Sequence, residues 1–185
     1  MLADPAGLLT AKHDEREELA GRTQLSLTGN RNVAQGIDWS KQNLADSVQR
    51  ASNLRIRDVD EGRAYPPPMG VIPEARWLGA GWPDYPWLFG TDGEYTAYAA
   101  IAVGQFEPIK DHLRALRDVS MLANAGSGKV VHEVVHEGSI YFGMNHHAGN
   151  TDETAKFPSA VALIWRWTGD DAFPRDMYDR HVVGG

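Results

Sequence analysis

Residues 37–51, IDWSKQNLADSVQRA, are the stretch on which the fold turns. Asp38 suits a helix N-cap, because its carboxylate can accept from a free first-turn amide. Ile37, Leu44, Val48 and Ala51 recur at roughly helical intervals, the spacing that lines one face of a helix. The pattern predicts a helix carried through Ala51. Residues 53–90 then read as irregular: PPP stands at 66–68, and in RWLGAGWPDYPWLFG three tryptophans, Trp77, Trp82 and Trp87, sit among prolines and glycines that forbid a helix. A loop of that length is usually functional, and its aromatics argue against disorder.

The chain on either side fits this pattern. Upstream, DEREE at 14–18 and the alternating TQLSLTGN suit a linker with one strand and a turn, so residues 1–34 are expected to be the tail of an upstream region and 35–185 the main domain. Downstream, EYTAYAAIAVG reads as a small-residue helix stopped by Gly104. Phe106, Ile109, Leu113, Leu116 and Val119 mark an amphipathic helix whose polar face carries Lys110, Arg114 and Arg117. Asp152 or Thr151 caps a further helix, DETAKFPSAVALIWRW, and GDD opens a last one. About five helices, long loops and almost no strand signal predict an all-α fold.

Composition narrows the function. The 185 residues, 42% hydrophobic, are enough for one packed domain. A net charge of −7 and a pI near 5.4 exclude a surface built for nucleic acid. No apolar run approaches the length of a membrane span. With no cysteine there is neither a disulfide nor a thiolate metal site, which suits a reducing, cytoplasmic setting.

Two familiar patterns fail on context. HEVVH, residues 132–136, has the two histidines and glutamate of a zinc-peptidase helix. Yet glycines flank it, four of the eight residues from Val130 to Glu137 are valines, and Ser139 and Phe142 stand where the long signature needs Gly and His. AGSGK lacks the glycine at 123 and the hydroxyl at 130 of a phosphate loop. No metal or other cofactor is expected. What remains is acids beside aromatics on loops: Trp87 and Asp92, His132 and Glu133, Asp152 and Glu153. Indole stacks on the C–H faces of sugars, and carboxylates accept from their hydroxyls. Taken singly, Asp92 and Asp152 read more readily as helix N-caps and Trp87 as core; their order along the chain favours the site.

In the order PWLFGTDGEYTA, GKVVHEVV, GNTDETAKFPSAVALIWRWTGD, the chain resembles the six-hairpin glycosidases over roughly residues 35–180. It is most similar to the glycogen-debranching, amylo-α-1,6-glucosidase type and more distantly to glucoamylases. The resemblance implies part of an (α/α)6 toroid and a glycoside hydrolase acting on α-glucosides, with an oligosaccharide as partner. It implies substrate-binding roles for Trp87, Asp92, His132, Glu133, Asp152 and Glu153. The family's general acid and base follow the matched region, so they are expected outside this chain. Thr91 stands where the family commonly has Arg, which removes a bidentate sugar contact. The alternative reading is a non-catalytic carbohydrate-binding or scaffold module, with a zinc-dependent hydrolase through HEVVH as the lesser one.

Overall fold

A computed structural model describes residues 4–59, 66–81, 83–135, 137–148 and 152–182; Trp82, His136, Thr151, Gly184 and Gly185 lie outside them. α1 (Pro5–Gly21) starts where Asp4 accepts from the Gly7 amide. α2 (Arg31–Asp46) is capped not by Asp38 but by Asn30, whose side chain accepts from the Val33 amide at 3.2 Å. The anticipated boundary at residue 34 therefore falls inside a helix. α1 packs on α2, and Glu15 of α1 bridges Arg50 and Arg76 at 2.6 and 2.5 Å.

α2 stops at Asp46 instead of continuing through Ala51. The Ser47 hydroxyl donates to the Leu44 carbonyl at 2.7 Å, while the Ser47 carbonyl accepts from the Gly79 amide at 2.9 Å. The chain thus turns straight into β1 (Val48–Asp58), which pairs antiparallel with β2 (Gly70–Leu78). In the second half of β1, buried Leu54 and Ile56 alternate with Arg55 and Arg57, a period of two. β2 is an edge strand, and its register with β1 skips the Asn53–Pro73 position, where proline has no amide to donate.

The remaining elements are β3 (Leu88–Phe89), α3 (Gly90–Ala102), α4 (Phe106–Asn124), β4 (Glu133–Val134), β5 (Ser139–Phe142), α5 (Asp152–Thr168) and α6 (Ala172–Val182). The sheet order is β2-β1-β5-β4-β3; β1 and β5 run parallel, and the other neighbours are antiparallel. This five-stranded mixed sheet overturns the all-α expectation and the partial (α/α)6 toroid with it. Three of its strands are two to four residues long, too short to show a period in the sequence.

α4 is the centre of the molecule. Ile109, Leu113, Leu116 and Val119 are wholly buried, with β2 on one side and α3, α5 and α6 on others. From α4, the His112 ring reaches across to the ends of two strands. Its Nδ1 accepts from the Leu78 amide at 3.2 Å, and its Nε2–H donates to the Phe89 carbonyl at 3.0 Å. Burial without a counter-charge drives its pKa down to about 4, so the ring is neutral at pH 7. Gly93 of α3 lies directly over this ring: a Cβ there would overlap Nε2.

Gly93→Ala is therefore expected to cost roughly 3 kcal/mol through overpacking. Gly36→Ala, inside α2 with open space around it, is expected to gain about 0.5 kcal/mol through helix propensity. Urea unfolding of the two variants checks the pair; equal effects would mean that His112 yields to the methyl.

Candidate functional site

The small strands build an aromatic platform. Tyr85, Trp87 and Phe89 alternate along an extended segment, which turns them to one face. Their ring centroids lie 5.3 Å (Tyr85–Trp87) and 6.4 Å (Trp87–Phe89) apart. Across the strands the His132 ring fits between Phe89 and Phe142, at 5.6 and 6.2 Å. Phe89, Glu133 and Phe142 are register partners, whereas Leu88, Val134 and Ile140 face the core. The platform is partly open, with Tyr85 53% and Phe142 45% exposed.

Acidic groups gather at one end of it, where the N-termini of α3 and α5 meet. Glycine makes the approach possible: a Cβ on Gly90 would lie 2.5 Å from Glu153 Cγ and 2.8 Å from the Val131 carbonyl. The Thr91 hydroxyl lies 3.0 Å from Asp152 Oδ2 and 3.2 Å from Glu153 Oε1, so its proton is offered to two acceptors. Glu153 is wholly buried and pairs with His132 Nδ1. That contact fixes the imidazole and leaves Nε2 as the nitrogen available to a ligand. The positive ends of the two helices favour this concentration of carboxylates.

Their environments push the acids in opposite directions. Glu94, 3% exposed, has no hydrogen-bond partner for either oxygen among the described residues. Burial first, and Glu153 second, raise its pKa to about 8. Glu133 is also raised, mainly by burial and further by Asp92, against the opposing pull of His132. Asp152 is lowered to about 2, first by Lys156, whose Nζ donates to it at 2.5 Å, and then by Thr91. A neutral carboxyl in Glu94 thus lies near an ionised one in Asp152, whose lowered pKa comes from its exposed pair with Lys156.

The six residues singled out in the sequence fall in this one neighbourhood. Trp87 is on the platform, Asp92 is exposed in the first turn of α3, His132 and Glu133 are at β4, and Asp152 and Glu153 open α5. Their depths differ: Glu153 lies behind His132, away from solvent. The site also takes in Glu94, Phe89, Phe142 and Lys156, which the sequence reading does not reach. A signal for Glu94 existed, since it falls on the stripe of α3 that also buries Gly90, Gly93, Ala97 and Ala100.

Neither HEVVH nor AGSGK takes the form that its pattern requires. Glu133 and Val134 of HEVVH form a strand, so the helical face that a zinc peptidase requires is not there. AGSGK is the turn after α4, with Gly126 and Gly128 at positive φ. Lys129 Nζ donates to the carbonyls of Met144 and His147. A concavity of about 1180 Å³ between α2 and α3 gathers only one acid, Asp46, and no aromatic ring among the described residues, so it offers little chemistry. No helix among the described residues is long and apolar enough to cross a membrane. No family model, curated protein or solved structure matches the chain.

The shift on Glu94 has a measurable sign. Between its ordinary 4.5 and about 8 the folded state holds a proton that the unfolded state has lost, so stability falls as pH rises. His112 works in the opposite sense, but only between about 4 and 6.5. From pH 6.5 to 8 the unfolding free energy should fall by roughly 2 kcal/mol, and Glu94→Gln should flatten that slope. Denaturant unfolding across this window checks it.

Proposed function

We propose that the platform binds a pyranose of an α-glucoside oligosaccharide, as part of the substrate-binding wall of a glycoside hydrolase. The observation that carries this is the contiguity of the Trp87 and Phe89 rings with the carboxylates of Asp92 and Glu133. Apolar C–H faces of a sugar lie against the rings, and its hydroxyls donate to the acids at their edge. Asp92, exposed at the first turn of α3, accepts from hydroxyls. His132 accepts through Nε2, held in place by Glu153. Asp152 stays ionised at neutral pH and supplies a third acceptor.

The choice of an α-glucoside over another sugar rests on the likeness of the three segments to six-hairpin glycosidases alone, because the mixed sheet does not share that family's toroid. Hydrolysis needs an acid and a base on opposite sides of the scissile bond. The matched segments do not include the family's pair, so binding without turnover is the activity proposed for this chain alone. A cytoplasmic setting, suited to a cysteine-free chain, belongs to the same proposal.

Titration with maltotriose, followed by tryptophan fluorescence and calorimetry, tests it. Trp87→Ala and Asp92→Asn are each expected to weaken binding at least tenfold, the usual cost of losing a stacking ring or a charged hydrogen bond. Binding that is absent, or indifferent to both substitutions, removes the sugar reading.

A further inference from the structure

A second cluster lies outside the platform and involves none of the residues assigned to it. Asp58, at the end of β1, meets His146 and His147, which follow β5. His146 Nε2 lies 2.8 Å from Asp58 Oδ2, and His147 Nε2 lies 3.2 Å from Asp58 Oδ1. One ligand atom from each of the three residues lies within 4.8 Å of the other two. We propose that Asp58, His146 and His147 form a binding site for a first-row divalent transition ion, with Zn²⁺ the best chemical fit.

Three observations support the site. Bonds of about 2.0–2.1 Å at tetrahedral angles put donor atoms about 3.3 Å apart, close to the 2.8 and 3.2 Å between the two imidazoles and the Asp58 oxygens. The donor set selects the ion class, because two imidazoles and one carboxylate suit zinc and its neighbours, whereas calcium and magnesium take oxygen. Asp58 Oδ1 is a buried oxygen with no hydrogen-bond partner among the described residues, despite its proximity to the His147 ring. A buried acceptor without a donor in line needs another source of positive charge.

The backbone holding these ligands is fixed in advance. Asn124, 1% exposed, donates to the Gly143 carbonyl at 3.0 Å and accepts from the Asn145 amide at 2.8 Å. Lys129 donates to the Met144 and His147 carbonyls at 2.7 and 3.1 Å. On the other side, the Val59 amide donates to the Ile140 carbonyl at 3.2 Å, which holds the Asp58 end of β1 against β5. One contact opposes the ion. The Met144 amide faces His147 Nδ1 at 3.4 Å, and ligation through Nε2 moves the ring proton to Nδ1. That long contact is given up on binding. Two protein nitrogens and one oxygen leave coordination positions for water or an exogenous ligand.

Equilibrium dialysis of the full chain against ZnCl₂ at pH 7.5, with metal content measured by atomic absorption, tests the site. One zinc per chain is expected, removable by chelator. Asp58→Asn and His147→Gln should each weaken binding at least tenfold, whereas His13→Gln on the surface of α1 should not. NMR of the unsubstituted protein gives a second readout that does not depend on any variant folding: substoichiometric Zn²⁺ should shift the ring signals of His146 and His147. Absence of stoichiometric zinc, retention of zinc in both ligand variants, or shifts centred on His132 would each overturn the proposal.

Discussion

A neutral histidine inside α4 holds the ends of two strands that share no ladder with each other. By accepting from Leu78 and donating to Phe89, His112 satisfies two backbone groups that burial would otherwise leave unpaired, at a cost of roughly 1–3 kcal/mol each. The same ring sets the position of α3, since Gly93 rests against it. One imidazole therefore joins β2, β3, α3 and α4. Burial keeps the ring uncharged, and a protonated ring would also lose the Leu78 bond at Nδ1.

The candidate site inherits its geometry from that junction. Phe89 is both the residue whose carbonyl His112 holds and a ring of the platform, so α4 controls where the aromatic surface sits. From Phe89 the chain passes into α3 through Gly90, which lets Glu153 approach, and through Thr91, which offers its hydroxyl proton to Asp152 and Glu153. Buried acids stand behind and exposed acids in front. Glu94 and Glu153 lie in the protein with the first held neutral, while Asp92 and Asp152 meet solvent at the helix N-termini. A ligand would thus meet ionised groups supported by a layer that does not repel them fully.

The sequence displayed some of this and concealed the rest for identifiable reasons. α4 was legible because Ile109, Leu113, Leu116 and Val119 keep one helical stripe. The six candidate site residues were legible as acids and aromatics near glycines, and those glycines lie at element junctions where backbones must approach. The strands were not. Val48 and Ala51 fit a helical interval as well as a strand, and Leu54 and Ile56 alternate among arginines and a proline-bearing partner. α1 was hidden because Leu19 alone among its residues is buried, leaving no apolar stripe to read. Thr91 looked like the loss of an arginine contact, but its hydroxyl links α3 to α5, a role that composition cannot reveal.

The parallel pairing of β1 with β5 has a kinetic meaning. Arg57 and Asp58 find Ser139 and Ile140 only after α3, α4 and three further strands have been threaded between them. Closing so large a loop gains little until both ends are already ordered. The β1–β2 hairpin and α4 can assemble from nearby chain, so this half of the sheet is placed to condense first. The aromatic half then docks onto a surface already made. During synthesis, the hairpin would wait with the Arg57–Asp58 end of β1 lacking its β5 neighbour until the residues around Ser139 emerge. That interval is when the chain is most exposed to the wrong strand partner.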